Sequence, residues 1–169
     1  MTIILGIDPG SRATGYGIIN SDGSHHQCIS YGVIRVAKST FAEQLHEIFC
    51  DLTDLLKQQP AQEVAIEQVF VMHNVSSALK LGQARGAAIT AVAQFHIPVF
   101  EYSTRQVKQS IVGYGAAIKQ QMQHMTKLML NLKKVPPQDA ADALAIALCH
   151  AHMRKNLMLR AKLKHQSGK

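Results

Sequence analysis

The sequence predicts an α/β domain built on a mixed five-stranded sheet with helices on both faces. Three observations lead there. Residues 3–8 form an apolar strand signal with no polar face, three strand signals follow one another across short turns, and the later strand signals alternate with stretches of helical periodicity. A meander followed by helix-crossed strands makes a sheet that is antiparallel on one side and parallel on the other.

The elements follow in order. In Ile3-Ile4-Leu5-Gly6-Ile7-Asp8 the single charge stands at the end of a strand covered on both faces. Asp8-Pro9-Gly10-Ser11 is a turn signal, with Pro presetting φ and Gly expected at positive φ. Asp8 either opens that turn or belongs to a site, and the stretch itself leaves both open. Residues 14–20 form a second strand, Asn20-Ser21-Asp22-Gly23 is hairpin chemistry, and residues 28–36 form a third. Thr40 and Glu43 make a capping box for a helix whose Phe41, Leu45, Ile48, Leu52 and Leu55/Leu56 recur at helical spacing up to Pro60. Residues 64–69 form a fourth strand, with Glu67 near its end. A helix follows over about 76–95, with Gly82, Gly86 and Thr90 four apart on one face. Helical glycines cost roughly 1 kcal/mol each, so this face points to close packing on the sheet or on a second subunit. Residues 98–102 are the fifth strand. Ser103 or Thr104 caps a helix to about Val112, Gly113-Tyr114-Gly115 breaks it, and another helix covers about 117–132. Pro136-Pro137 stops the chain before the last helix, expected from Asp139 to about Lys155.

Length and composition set limits. A chain of 169 residues with 47% hydrophobic residues forms an ordinary packed core, expected over residues 1–155, with 156–169 as a basic, flexible tail. There is no apolar run of the ~18 residues a membrane span needs. Residues 1–7 lack a basic leader region, so a cytoplasmic protein is expected. Cys28, Cys50 and Cys149 are widely spaced and are expected as reduced thiols. Cys149, His150 and His152 lie too close together on one helix to converge on tetrahedral zinc. The net charge of +7 is uneven: residues 105–134 and 154–169 hold bases and no acids, whereas 43–67 hold six acids and one lysine. This distribution suits a polyanionic partner on one face, or in the tail mere solubility.

The acids carry the functional argument. With the first strand central and the fourth parallel beside it, Asp8 and Glu67 come together at the carboxyl ends, where open α/β sheets place their sites. Asp139 and Asp142, three apart, share a face at the start of the last helix. Taken alone, Asp139 reads rather as complementing the helix dipole, whereas Asp142 sits in an otherwise apolar helix. Four carboxylates cannot all ionise together without cations. Hard divalent ions such as Mg²⁺ resolve this, and a pair of them about 4 Å apart would serve phosphodiester hydrolysis.

With these residues in place, the sequence resembles the RuvC family of bacterial endonucleases that resolve Holliday junctions. The matching stretches are ILGIDPGSRATGYGII, AIEQVF, SALKLGQARGAA, PVFEY, RQVKQSIVGYGAA and DAADALAIALCHAH, which span most of residues 3–152. The resemblance implies an RNase H-like (retroviral-integrase-type) nuclease fold and a homodimer that cuts a four-way DNA junction symmetrically. It implies Mg²⁺-dependent hydrolysis by two ions per subunit, with Mn²⁺ as a substitute, leaving 5′-phosphate and 3′-hydroxyl ends. The RuvA–RuvB branch-migration complex is the implied partner in recombination and repair. Asp8, Glu67, Asp139 and Asp142 match the family's acidic tetrad. Phe70 matches an aromatic suited to stacking on unpaired bases, although a core role suits it equally. Lys108 and Lys119 match basic positions beside the site, and Gly82 and Gly86 match the dimer-interface helix. One departure is Ile118, where relatives often carry an acid before the lysine. The alternatives are an RNase H-fold nuclease acting on another structured nucleic acid, a non-catalytic junction-binding module, and a phosphate-binding ATPase subdomain suggested by the strand-turn-strand at 6–11.

Overall fold

A computed structural model describes residues 1–36, 40–69 and 75–167, with side chains of the last helix described up to residue 154. Along the chain run β1 (Thr2–Asp8), β2 (Ala13–Ser21), β3 (His26–Arg35), α1 (Phe41–Gln58), β4 (Glu63–Glu67), α2 (Val75–Ala93), β5 (Val99–Tyr102), α3 (Thr104–Val112), α4 (Lys119–Met129) and α5 (Gln138–Ser167). The sheet order is β3-β2-β1-β4-β5, with β1 central. β1 is antiparallel to β2 and parallel to β4, in the mixed arrangement expected.

Alternation along β1 divides the core into two layers. Leu5 and Ile7 face α1 and α2, where Ile48, Leu52, Leu56, Ala84, Ala88 and Val92 are buried. Ile4 faces the other way, into the layer that α3, α4 and α5 close with Val107, Ile111, Met122, Leu144 and Leu148. α1 starts at the expected box: the Glu43 N–H donates to Thr40 Oγ1 at 3.4 Å, and the Thr40 N–H to Glu43 Oε2 at 2.7 Å.

The contact that builds the site is α5 lying directly on β1 and β2. A Cβ on Gly6 would strike the carbonyl oxygen of Ala143, and one on Gly15 that of Asp139. These two glycines allow a helix backbone to rest on strand backbone, which fixes the start of α5 over the end of β1.

Four expectations are revised. Gly10 is not at positive φ; a side chain there would instead meet the Ala13 carbonyl, and Thr14 Oγ1 donates to the Gly10 carbonyl at 3.2 Å. β4 ends at Glu67 rather than at residue 69. α4 is shorter than residues 117–132 because Asn131 takes up φ 48°, a left-handed turn that Asn tolerates. The last helix starts at Gln138 and runs beyond Lys155 to Ser167, since no Gly or Pro interrupts the chain before Gly168.

Candidate active site

Asp8 and Glu67 reach the same edge because β1 and β4 are in register. Gly6 lies opposite Ala65 and Ile7 opposite Ile66, so the next residues, both acidic, finish neighbouring parallel strands. α5 brings the other acids. Pro136-Pro137 ends the preceding loop, the helix opens at Gln138, and Gly15 admits the backbone of Asp139 onto the sheet. Asp142 is then one turn further along the face turned to the strand ends.

A cavity of about 300 Å³ opens here, lined by Asp8, Glu67, Asp142, Lys108 and Lys119, with Thr104, Val107, Met122 and Ile146 as further walls. Asp139 does not line it, yet is close enough to raise the pKa of both Asp8 and Asp142. The Asp8 carboxyl is pushed up to about 8, first by burial and then by the charges of Glu67, Asp142 and Asp139, with Lys119 opposing. Asp142 rises to about 6, again chiefly through burial; Lys119 is the strongest opposing influence, and Lys108 acts the same way. The acids and the two lysines expected beside them thus form one electrostatic unit.

Lys119 is the first residue of α4. Ile118 occupies the N-cap without a side-chain acceptor, and its N–H is held by Gln121 Oε1 at 3.1 Å. The helix start therefore keeps the Gln121 half of a capping box, while Ile118 leaves the first-turn N–H groups without the side-chain acceptor that an acid there would give. Lys108 comes from α3, which Ser103 caps by accepting from the Gln106 N–H at 3.3 Å.

The donor set is all oxygen and therefore hard, which fits a divalent cation of the Mg²⁺ or Mn²⁺ type rather than zinc. Among the described residues no three His, Cys, Asp or Glu side chains close around a single point. A cation would take one or two of these carboxylates and complete its shell with water and phosphate oxygen, as Mg²⁺ commonly does. The zinc reading is disfavoured further by the geometry of α5. His150 is buried between Tyr102 Oη and Glu63 Oε2, each at 2.7 Å, and His152 lies 2.9 Å from Ser110 Oγ and 3.2 Å from His26.

Other expected residues stand apart from the cavity. Gly82 and Gly86 lie on an exposed face of α2 with nothing within 4 Å of where a Cβ would be, so this face does not pack on the sheet. Phe70 lies outside the described residues. Two cations that were not among the expected site residues, Arg12 and Lys80, line a polar pocket with Ser11, Phe41, Gln44 and Ser77. The Arg12 side of that pocket follows directly on the Asp8 turn.

Residues 4–150 match the family model described as crossover junction endodeoxyribonuclease RuvC. The chain is 60% identical over 149 residues to the crossover junction endodeoxyribonuclease RuvC of Coxiella burnetii, covering 88% of this chain and 87% of the relative. It is 54% identical over 162 residues to that of Marinobacter nauticus, covering 96% and 93%. A solved structure of T. thermophilus RuvC in complex with a Holliday junction substrate superposes with a TM-score of 0.85 at 31% identity, covering 91% of this chain and 95% of that one. The fold is accordingly RNase H-like. This chain belongs to the RuvC family of crossover junction endodeoxyribonucleases.

Proposed function

We propose that the protein resolves four-way DNA junctions by Mg²⁺-dependent hydrolysis, with Asp8, Glu67, Asp139 and Asp142 as its catalytic and metal-binding acids. The observation that carries this is a cavity lined by acids from β1, β4 and α5 together with two lysines, in a chain of this family. Family membership and the oxygen donors call for a divalent cation; Mg²⁺, two ions per subunit, with Mn²⁺ as a substitute, is our reading of which and how many. When bound, such ions supply positive charge for the phosphodiester and make a nearby water more acidic.

The chain's own residues prepare for this. Burial and its acidic neighbours push the Asp8 carboxyl up to about 8, so a bound cation would favour its ionised form and its binding would be linked to proton release. Lys119 and Lys108 stand across the cavity and are suited to hold phosphate oxygens and to offset charge developing at phosphorus. Val107, Met122 and Ile146 wall the cavity with apolar atoms, which lowers the local dielectric and strengthens every charge interaction inside.

Several further readings belong here. The exposed Gly82/Gly86 face of α2, flanked by exposed Leu79 and Val75, is suited to pack against a second copy, giving a homodimer that cuts two strands symmetrically. We assign Phe70 to base stacking on the strength of the resemblance, the RuvA–RuvB complex as partner, residues 1–155 as the nuclease domain with 156–169 as a basic extension, and the cytoplasm as location. Among the described residues no helix is long and apolar enough to cross a membrane.

The test is incision of a synthetic mobile junction by purified protein on addition of Mg²⁺. Paired symmetric nicks with religatable 5′-phosphate ends are expected. Asp8→Asn and Asp142→Asn should bind the junction and cut it at least about 10³-fold more slowly. Robust cutting by Asp8→Asn, or preferred cleavage of an RNA–DNA hybrid at equal salt, would overturn the proposal.

A further inference from the structure

Arg85 belongs to α2, on the side of the sheet opposite the acids of α5, and it reaches the strand that carries Glu67. Its Nε–H donates to the backbone carbonyl of Glu67 at 3.1 Å. Its Nη2 lies 2.8 Å from Glu101 Oε2 in β5, near enough for an ion pair although not aligned as a hydrogen bond. The Arg85 side chain is 19% exposed, with Nη2 itself buried. One planar group therefore spans the ends of β4 and β5 from α2, a two-point contact that the single ammonium of lysine cannot reproduce.

The place of this contact gives it meaning. The β4–β5 ladder runs out at Glu67, followed by one last backbone bond from the Gln68 N–H to the Tyr102 carbonyl at 2.9 Å. Among the described residues no further ladder bond follows it. Ala65 and Ile66 face opposite layers of the core, so Glu67, two residues after Ala65, faces the α5 side while Arg85 holds its carbonyl from the α2 side. Burying a cation is costly unless it is paired, and of the two oxygens this one meets, one belongs to the residue whose side chain lines the cavity. Arg85 also sits next to Gly86 at the border of the exposed glycine face, so the position of α2 bears on the position of Glu67.

We propose that Arg85 is a positioning residue for Glu67: by fixing the end of β4 to α2 and to Glu101 it sets the carboxylate where a divalent cation can use it. This rests on the reading of Glu67 as a metal-binding acid. Displacement of a reacting group by about 1 Å costs on the order of 10²-fold in rate, so a local loss of this anchor is expected to appear in kcat and in metal demand before it appears in junction affinity.

The experiment compares the full-length wild type with Arg85→Met, Arg85→Lys and Glu101→Gln, and with Lys57→Met, which removes an exposed cation of α1, as a control. Five quantities are measured: the single-turnover incision rate at saturating protein, the Mg²⁺ concentration for half-maximal rate, the junction Kd, the oligomer mass in sedimentation, and Mn²⁺ binding by calorimetry without DNA. Arg85→Met is expected to lower the rate at least about tenfold and raise the Mg²⁺ midpoint several-fold, with junction Kd and oligomer mass unchanged and Mn²⁺ binding weakened. Glu101→Gln should shift the same quantities in the same direction by less, and Lys57→Met should not shift them. An unchanged metal midpoint and unchanged Mn²⁺ binding in Arg85→Met overturn the proposal, as does a loss confined to Kd or oligomer mass. If Arg85→Met does not fold, Arg85→Lys and Glu101→Gln decide by the same criteria. Failure of the wild type to nick junctions would refute the functional reading instead, and Mn²⁺ binding would still decide the role of Arg85.

Discussion

Replacing Asp8 by Asn should stabilise the metal-free protein while abolishing incision, and the size of the gain follows from the site. The carboxyl ionises near 3.8 in an unfolded chain and near 8 in the folded one, because burial and the charges of Glu67, Asp142 and Asp139 oppose its ionisation. A folded pKa raised above the unfolded one means that the folded state holds more protons, so stability falls as pH rises between those values. At pH 7 the folded chain keeps a proton that the unfolded chain has released, roughly three units at about 1.4 kcal/mol each, or about 4 kcal/mol. Solvent in the cavity mouth screens part of this, leaving an expected gain for Asp8→Asn of about 2–4 kcal/mol, roughly 5–15 °C in Tm for a chain of this size. The assay is thermal unfolding of both proteins in chelator-treated buffer from about pH 4 to about pH 8. The two curves should nearly coincide at the acid end and separate steadily toward neutrality, with millimolar Mg²⁺ raising the wild type more than the variant. A difference in Tm that does not change with pH would show that Asp8 is not the strained group described here, and an Asp8→Asn protein less stable than wild type at pH 7 would refute the reasoning outright.

Three other outcomes follow. Lys119 is the strongest influence holding down the pKa of Asp142, so Lys119→Ala should lower the incision rate about 10–100-fold and move the acid limb of the pH–rate profile to higher pH; a uniform loss with no shift would limit the lysine to binding phosphate. Gly15→Val places a side chain against the Asp139 carbonyl and should cost about 3 kcal/mol or prevent folding, read as a lower urea midpoint; a wild-type midpoint would mean that α5 is free to lift from the sheet. Gly82→Glu adds a charge to an open face of α2 and, because it removes a glycine from a helix interior, should raise the monomer's Tm by about 1–4 °C while reducing dimer mass in sedimentation; an unchanged mass would remove this face from the interface.

Much of the site could be read along the chain because its parts are local signals. An apolar run ending in one carboxylate, a parallel partner of the same kind, and two acids a helical turn apart after a proline pair mark the ends of elements, and ends of elements are where topology brings residues together. The strand order followed from the same signals, since short turns require antiparallel neighbours and helical crossovers require parallel ones. The stop of α4 at Asn131 was less legible, because Asn permits a left-handed turn without requiring one.

By itself the sequence determined the central strand, the two acids on neighbouring strand ends and the pairing of Asp139 with Asp142. Only the tertiary structure decided what the glycines are for. Gly6 and Gly15 serve contact with the α5 backbone, Gly10 serves contact with Ala13 rather than a positive φ, and Gly82 and Gly86 leave a face of α2 open. It alone also placed Asp139 outside the cavity wall and set Arg85 on the carbonyl of Glu67. The physical reason is range. Hydrophobic period and turn chemistry act over a few residues and are written in the chain, whereas the approach of one backbone to another depends on which distant surfaces the packed core brings together.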